Sequence, residues 1–318
     1  MKNFYGGLIY FMKKIFFMLL FIIFSSRNCY GNVKAVTTIF PLYDWVNEIS
    51  KGTDIEIKLL LDKAVDFHSY QPSVDDIIKI SECDFFIYVG GESDEWVEGA
   101  LKNVLNKNQI AINLLEVLGN SAKFEETVEG MQHEHHEHET ELDEHVWLSL
   151  RNAEKLCSYI AEKFSEYDNE HKDIYILNAA NYIEKISALD KKFNEAVNNG
   201  KRRFLLFADR FPFRYFVDDY KLKYSAAFSG CSAETEASFE TVVFLAKKTD
   251  ELKLPCVMTI EGRQHKIPET VIANTQEKNQ KILVLNSMQS ITLNEIKNGA
   301  SYLSIMEKNL EVLKGALN

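Results

Sequence analysis

The chain has 318 residues, which suits two domains of ~100–150 residues better than one small core. Its makeup, 46% hydrophobic and 26% charged with five prolines, is that of a folded globular protein. A net charge of −11 argues against the basic face of a nucleic-acid binder and is compatible with drawing in cations.

The start differs from the rest. Lys13 and Lys14 precede the apolar run "IFFMLLFIIF", which is too short for a spanning helix of ~20 residues. Such a run fits the hydrophobic region of a secretory signal over 1–31, with cleavage after Gly31. An exported, extracytoplasmic protein is expected, periplasmic or membrane-associated. Cys29 offers a position for a lipid anchor, although Arg27 and Asn28 stand where bacterial lipoproteins carry small residues. Cys83, Cys157, Cys231 and Cys256 are scattered without a C-x-x-C pair, so no disulfide framework is expected. Cys83 and Cys256 adjoin strand-like runs and read as buried thiols.

After the leader, short runs rich in Ile, Val and Phe alternate with amphipathic segments of helix length. "KAVTTIF" (34–40), "IEIKLLL" (55–61), "DFFIYVG" (84–90) and "QIAINLL" (109–115) read as strands bounded by polar turns. "LYDWVNEISKG", "SVDDIIKISEC" and "DEWVEGALKNVLNKN" carry apolar residues at three- and four-residue steps and read as helices. Strands alternating with helices imply parallel βα units.

Residues 121–144 break the pattern. From Glu125 to Glu144 there are nine acidic residues and no basic one, interrupted by His133, His135, His136 and His138. The segment reads as a solvated, mobile insertion, with those four histidines as weak, reversible metal collectors. His145, followed at once by Trp147 and Leu148, belongs to ordered structure instead.

Helix follows, ending in a long apolar-periodic segment, "HKDIYILNAANYIEKISALDKKFNEAVNNG". Thirty helical residues span ~45 Å, enough to act as a stiff connector. The strand pattern then restarts with "RFLLFA" (203–208), "YSAAFS" (224–229), "PCVMTIE" (255–261) and "KILVLN" (281–286). The expected fold is α/β: two (β/α) lobes, each a small, mostly parallel sheet flanked by helices, joined by one long rigid helix. The boundaries are 32–165 for the N-terminal lobe, 166–200 for the linking helix and 201–318 for the C-terminal lobe.

Ligands of such sheets sit beyond the carboxyl ends of strands. Four loops there carry metal-competent side chains: "VDFHSYQPSVDD" with His68, "DEHVWLS" with His145, "FLLFADRFPF" with Asp209, and "VLNSMQS". Two imidazoles and a carboxylate suit Zn²⁺, whereas Mn²⁺ prefers more oxygen ligands.

"VDFHSYQPSVDD", "DEHVWLSLRNA" and "DRFPFRYFVDDYKL…GCSAETEASFETVVFLAKK" resemble the metal-binding (zinc and manganese, cluster A-I) substrate-binding proteins of bacterial ABC importers. The resemblance covers most of the chain after residue 33. It implies a metal held in a cleft between two lobes, with His68 and His145 as the N-lobe ligands. It also implies a membrane permease as partner and a monomeric receptor.

The C-terminal half departs from the family pattern. Asp209 stands where His or Glu is usual, beside Arg210, which cannot ligate. Gln289 stands where the family often has a final Asp. The implied ligand set is His68, His145 and Asp209, completed by water, Gln289 or Glu261, with zinc favoured and manganese the alternative. Two rival readings are a zinc hydrolase and an adhesin using the same fold. The hydrolase lacks both H-E-x-x-H and G-x-S-x-G here.

Overall fold

Every apolar run that alternates with a helical segment forms a strand. In this computed structural model the described residues are 32–62, 65–132, 141–232, 236–262 and 265–318. The leader, Cys29 and the histidines 133, 135, 136 and 138 lie outside them.

The first half contains β1 (Lys34–Thr37), β2 (Glu56–Leu59), β3 (Phe85–Tyr88) and β4 (Ile110–Asn113). The second contains β5 (Phe204–Phe211), β6 (Lys223–Ser229), β7 (Cys256–Thr259) and β8 (Lys281–Val284). The sheets have the orders β2-β1-β3-β4 and β6-β5-β7-β8, and all their pairings are parallel. The two orders are one topology repeated, so each chain half is the same doubly wound unit. Burial explains the composition of the inner strands: Phe85, Phe86 and Ile87 of β3 are fully enclosed, as is β7 from Cys256 to Thr259.

The helices begin where side chains can take up their free N–H groups. Ser73 caps Val74–Glu82 in a reciprocal capping box with Asp76, and Ser149 caps Leu150–Tyr167 by accepting from Asn152 N. The long helix runs from Lys172 to Asn199, 28 residues and about 42 Å. It starts later than 166 because residues 168–171 form a separate turn. Asp168 organises that turn by accepting from the backbone N–H groups of Glu170 and His171 and from Tyr175 Oη, the last at 2.8 Å.

This helix touches both halves. Asn178 Nδ2 donates to Ile49 O at 3.0 Å near one end, and Tyr220 Oη donates to Asp190 Oδ1 at 2.8 Å further along. Its buried stripe, Tyr175, Ala179, Tyr182, Ile186, Leu189, Phe193 and Val197, keeps helical spacing throughout.

The expected mobile insertion is corrected over much of its length. Phe124 and Leu142 form an antiparallel bridge, flanked by Glu125 N to Glu141 O and Asp143 N to Lys123 O, both 2.8 Å. Met131 is buried, and Gln132 N donates to Ala227 O of β6 at 2.9 Å. Backbone pairing and docking on the second half therefore hold residues 121–132 and 141–144, which charge composition alone does not reveal.

Candidate metal site

The site is assembled from strand ends. Beyond β2, Asp66 caps the 3₁₀ turn Phe67–Ser69 by accepting from His68 N at 3.1 Å. After the insertion, His145 leads into the turn Val146–Leu148 and is wholly buried. Trp147 stacks edgewise on Phe67 with ring centroids 5.9 Å apart, and lies 5.3 Å from the His145 ring. Its indole N–H donates to Ser287 O at 2.8 Å, tying the turn to the loop after β8.

Both histidines have fixed tautomers. His145 Nδ1 lies 3.0 Å from Asp143 Oδ1, a carboxylate oxygen that can only accept, so Nδ1 carries the proton. His68 Nδ1 lies 2.8 Å from Ser93 Oγ, and that hydroxyl gives its single proton to Glu144 Oε2 at 2.5 Å. His68 Nδ1 must then be the donor to Ser93. Each imidazole is left with a lone pair on Nε2, and the two Nε2 atoms are 3.1 Å apart. Two lone pairs at that distance repel unless a donor or a cation lies between them. A carboxylate behind the far ring nitrogen is the usual support of metal-ligating histidines.

Glu144 serves that support with unusual economy. Burial would raise its pKa, but the His68 imidazole 3.4 Å away and the hydrogen bonds from Ser93 N and Oγ outweigh it and hold the carboxyl below its ordinary value. The close approach depends on Gly91, whose φ is +83°; a Cβ there would stand 2.3 Å from Glu144 Oε1.

Gln289 completes the convergence. Its amide nitrogen position lies 3.0 Å from His68 Nε2 and 2.6 Å from His145 Nε2. With a hydrogen on each side, the amide would bridge the two lone pairs. Turned over, it would present Oε1 to a metal and donate Nε2–H to Ser287 Oγ, which lies 3.1 Å from the present oxygen position. Ser287 Oγ is suited to accept because its own proton goes to Glu261 Oε1 at 2.7 Å. Zn–N bonds of 2.0–2.1 Å at tetrahedral angles put ligand atoms about 3.3 Å apart. Two edges of the observed triangle, 3.1 and 3.0 Å, approach that length, and the third, 2.6 Å, would lengthen on metal binding.

The other expected residues stand elsewhere in the hydrogen-bond network. Asp209 lies at an irregularity of β5, and its carboxylate accepts from Thr259 Oγ1, from Ile260 N at 3.3 Å and from Arg210 N at 2.9 Å. Glu261 accepts from Ser287 N at 2.6 Å, Ser287 Oγ at 2.7 Å and Gln289 N at 3.3 Å. Burial pushes its pKa up, and it fastens the turn that carries Gln289. Met288 in that turn has φ +62°, a conformation held by Asn286 Oδ1, which accepts from Met288 N at 2.8 Å.

Among the described residues one group of His, Cys, Asp and Glu is close enough to share a metal ion: His68, His145 and Cys231. One ligand atom from each lies within 4.8 Å of the others. Cys231 has no C-x-x-C partner, so cysteine spacing does not mark it as a ligand. Its position two residues past the end of the strand-like "YSAAFS" was the available signal.

Comparison with known proteins accords with this geometry. The family model "ZnuA: zinc-uptake complex component A periplasmic" matches residues 35–316. The zinc-binding lipoprotein AdcA of Streptococcus pneumoniae serotype 4 is 32% identical over 314 residues, 95% of this chain and 61% of that protein. The chain thus spans about three-fifths of the length of that relative. The high-affinity zinc uptake system protein ZnuA of Bacillus subtilis is 27% identical, over 92% of this chain and 90% of its own length. In structure, the Zn(II)-bound ZnuA-like domain of S. pneumoniae AdcA superposes with a TM-score of 0.72 at 28% identity, covering 90% of this chain and 99% of that one. A match running from β1 almost to the last residue, in a chain whose two imidazoles meet between two parallel sheets, places this protein in the ZnuA family of zinc-uptake complex components.

Proposed function

We propose that this chain is an extracytoplasmic receptor that captures Zn²⁺ between its two halves and delivers it to an ABC permease in the membrane. The convergence of His68 Nε2, His145 Nε2 and the Gln289 amide within 3.1 Å of one another carries the reading. Two neutral imidazoles from the first half and an amide oxygen from the second would clasp the ion, so loading would hold the halves together and unloading would let them part. Asp143 and Glu144 would orient the imidazoles and offset part of the ion's charge. Asp209 and Glu261 would act as props at the ends of β5 and β7. Zn²⁺ outcompetes Mn²⁺ for nitrogen donors, which favours zinc as cargo.

Export and action as a monomer are part of the same reading, as is weak collection of metal by His133, His135, His136 and His138. Among the described residues no helix is long and apolar enough to cross a membrane. The family is one of zinc-uptake components and the relatives are named for zinc binding and zinc uptake, which supports a receptor over the hydrolase alternative.

The experiment is chelator-competition titration of zinc into the purified protein and into the H68A/H145A double variant. One tight equivalent in the first and none in a still-folded second is expected. Undiminished tight binding by the double variant removes the assignment.

A further inference from the structure

The three-donor set leaves a difficulty that the proposed function does not resolve. His68, His145 and Gln289 are all neutral ligands and fill three of the four positions that zinc takes. A dication so held in a poorly solvated groove lacks an anionic donor. The carboxylates expected to provide one are engaged: Asp209 with Thr259, Ile260 and Arg210, and Glu261 with Ser287 and Gln289.

The chain brings a different group to the opening. β6 ends at Ser229, and the next residue, Gly230, passes against the Cε1 and Nδ1 atoms of the His145 ring. A Cβ on Gly230 would lie 3.0 Å from His145 Cε1 and 3.0 Å from Phe211 O, so a larger residue would crowd the ring where the strand ends. The following residue is Cys231. Its backbone N–H donates to Glu125 Oε1 at 2.9 Å, which fixes the turn. Its sulfur lies within 4.8 Å of a ring nitrogen of each histidine.

We infer that Cys231 is the fourth ligand, binding Zn²⁺ through its thiolate and giving the site a His₂Cys set with the Gln289 amide. This rests on the receptor reading above and names a ligand that reading lacks. Sulfur and nitrogen on one tetrahedral zinc stand about 3.6 Å apart for bonds of 2.3 and 2.0–2.1 Å. Ring nitrogens of both histidines lie within 4.8 Å of the sulfur, at most about 1.2 Å beyond that spacing, so side-chain adjustment is what ligation asks of the site. On binding, the S–H bond breaks, the sulfur keeps the electron pair for the metal and the proton passes to water. A thiolate also sharpens selection, because soft sulfur favours Zn²⁺ over the harder Mn²⁺.

X-ray absorption at the zinc edge tests this on protein loaded with one equivalent of zinc. The expected spectrum contains a sulfur shell at about 2.3 Å beside nitrogen and oxygen at about 2.0 Å, and C231S loses the sulfur shell. Zinc affinity of C231S should fall about 10–100-fold, and its preference for zinc over manganese should narrow. C231A checks that the serine hydroxyl does not substitute. A shell of nitrogen and oxygen alone in the wild-type protein, or unchanged affinity in both variants, overturns the cysteine assignment while leaving the receptor intact. Failure to retain one tight equivalent of zinc overturns both.

Discussion

Arg210 Nη2 donates to Asp66 Oδ2 at 2.5 Å, reaching from the second sheet to the cap of the turn that carries His68. Asp66 uses its other oxygen to accept from His68 N. Burial would raise the Asp66 pKa, but the Arg210 guanidinium and the His68 backbone N–H outweigh it and keep it lowered. The residue that cannot itself bind metal thus fixes the backbone of one that can, across the junction of the two halves. Replacing Arg210 by Met should weaken zinc binding by about tenfold, the scale of losing a supporting group. Competition with a fluorescent chelator reads this directly, and an unaltered dissociation constant would mean that the ion pair does not position His68.

Glu144 makes a comparable contribution from within the first half. Through Ser93 and the 3.4 Å contact to His68 Nδ1, it fixes the ring orientation and tautomer. E144Q should lower zinc affinity by about 10–100-fold with little change in secondary structure. Calorimetric titration alongside circular dichroism separates the two effects. Full affinity in the variant would assign Glu144 to packing alone.

Gln289 allows a substitution in the opposite direction. Q289E places a carboxylate where a neutral amide meets two imidazole lone pairs, adding a charged donor to a cationic ligand. Zinc should be held about tenfold more tightly or better, since anionic donors stabilise the ion where water is excluded. Its release to a chelator should slow correspondingly. A weaker site would indicate that the amide bridges the histidines without reaching the metal.

Asp44 provides a pH signature remote from the site. Burial raises its pKa to about 6, against lowering hydrogen bonds from Tyr182 Oη at 2.9 Å and Tyr302 N at 3.1 Å. A carboxyl whose folded pKa exceeds its unfolded value stabilises the fold below the unfolded pKa. That stability is lost as pH rises from 3.8 towards 6. The asparagine variant D44N, which can still accept both bonds, should therefore gain on the wild type by up to about 3 kcal/mol between pH 4 and pH 7. Denaturant unfolding of metal-free protein at the two pH values checks the sign, and parallel curves would contradict it.

Deleting residues 133–140 should leave the tight equivalent of zinc intact and remove only weaker ones. Glu125 N donates to Glu141 O at 2.8 Å, so the flanks of the deletion are tied by pairing outside it. Zinc titration into the deletion variant counts the equivalents. Loss of the tight one would transfer the principal site to the histidine stretch.

Much of the architecture was legible because it is local. Strand-length apolar runs and helix-length periodicity depend on neighbours along the chain, and all eight runs read as strands became strands in two sheets of one topology. His68 and His145 stood out because each sits where ordered structure resumes. What sequence could not supply was side-chain direction at the ends of β5 and β6. Asp209, Arg210 and Cys231 all lie at strand ends, but register and the neighbouring strand decide which of them meets the histidines. The irregular pairing of β5 directs Asp209 to Thr259 and Arg210 to Asp66, and Gly230 admits Cys231 beside His145. Likewise, the acidic flanks of the insertion look solvated by composition, and only backbone pairing with distant residues shows them held. Periodicity reports which residues are buried; contacts between strands separated by tens of residues decide what those residues face.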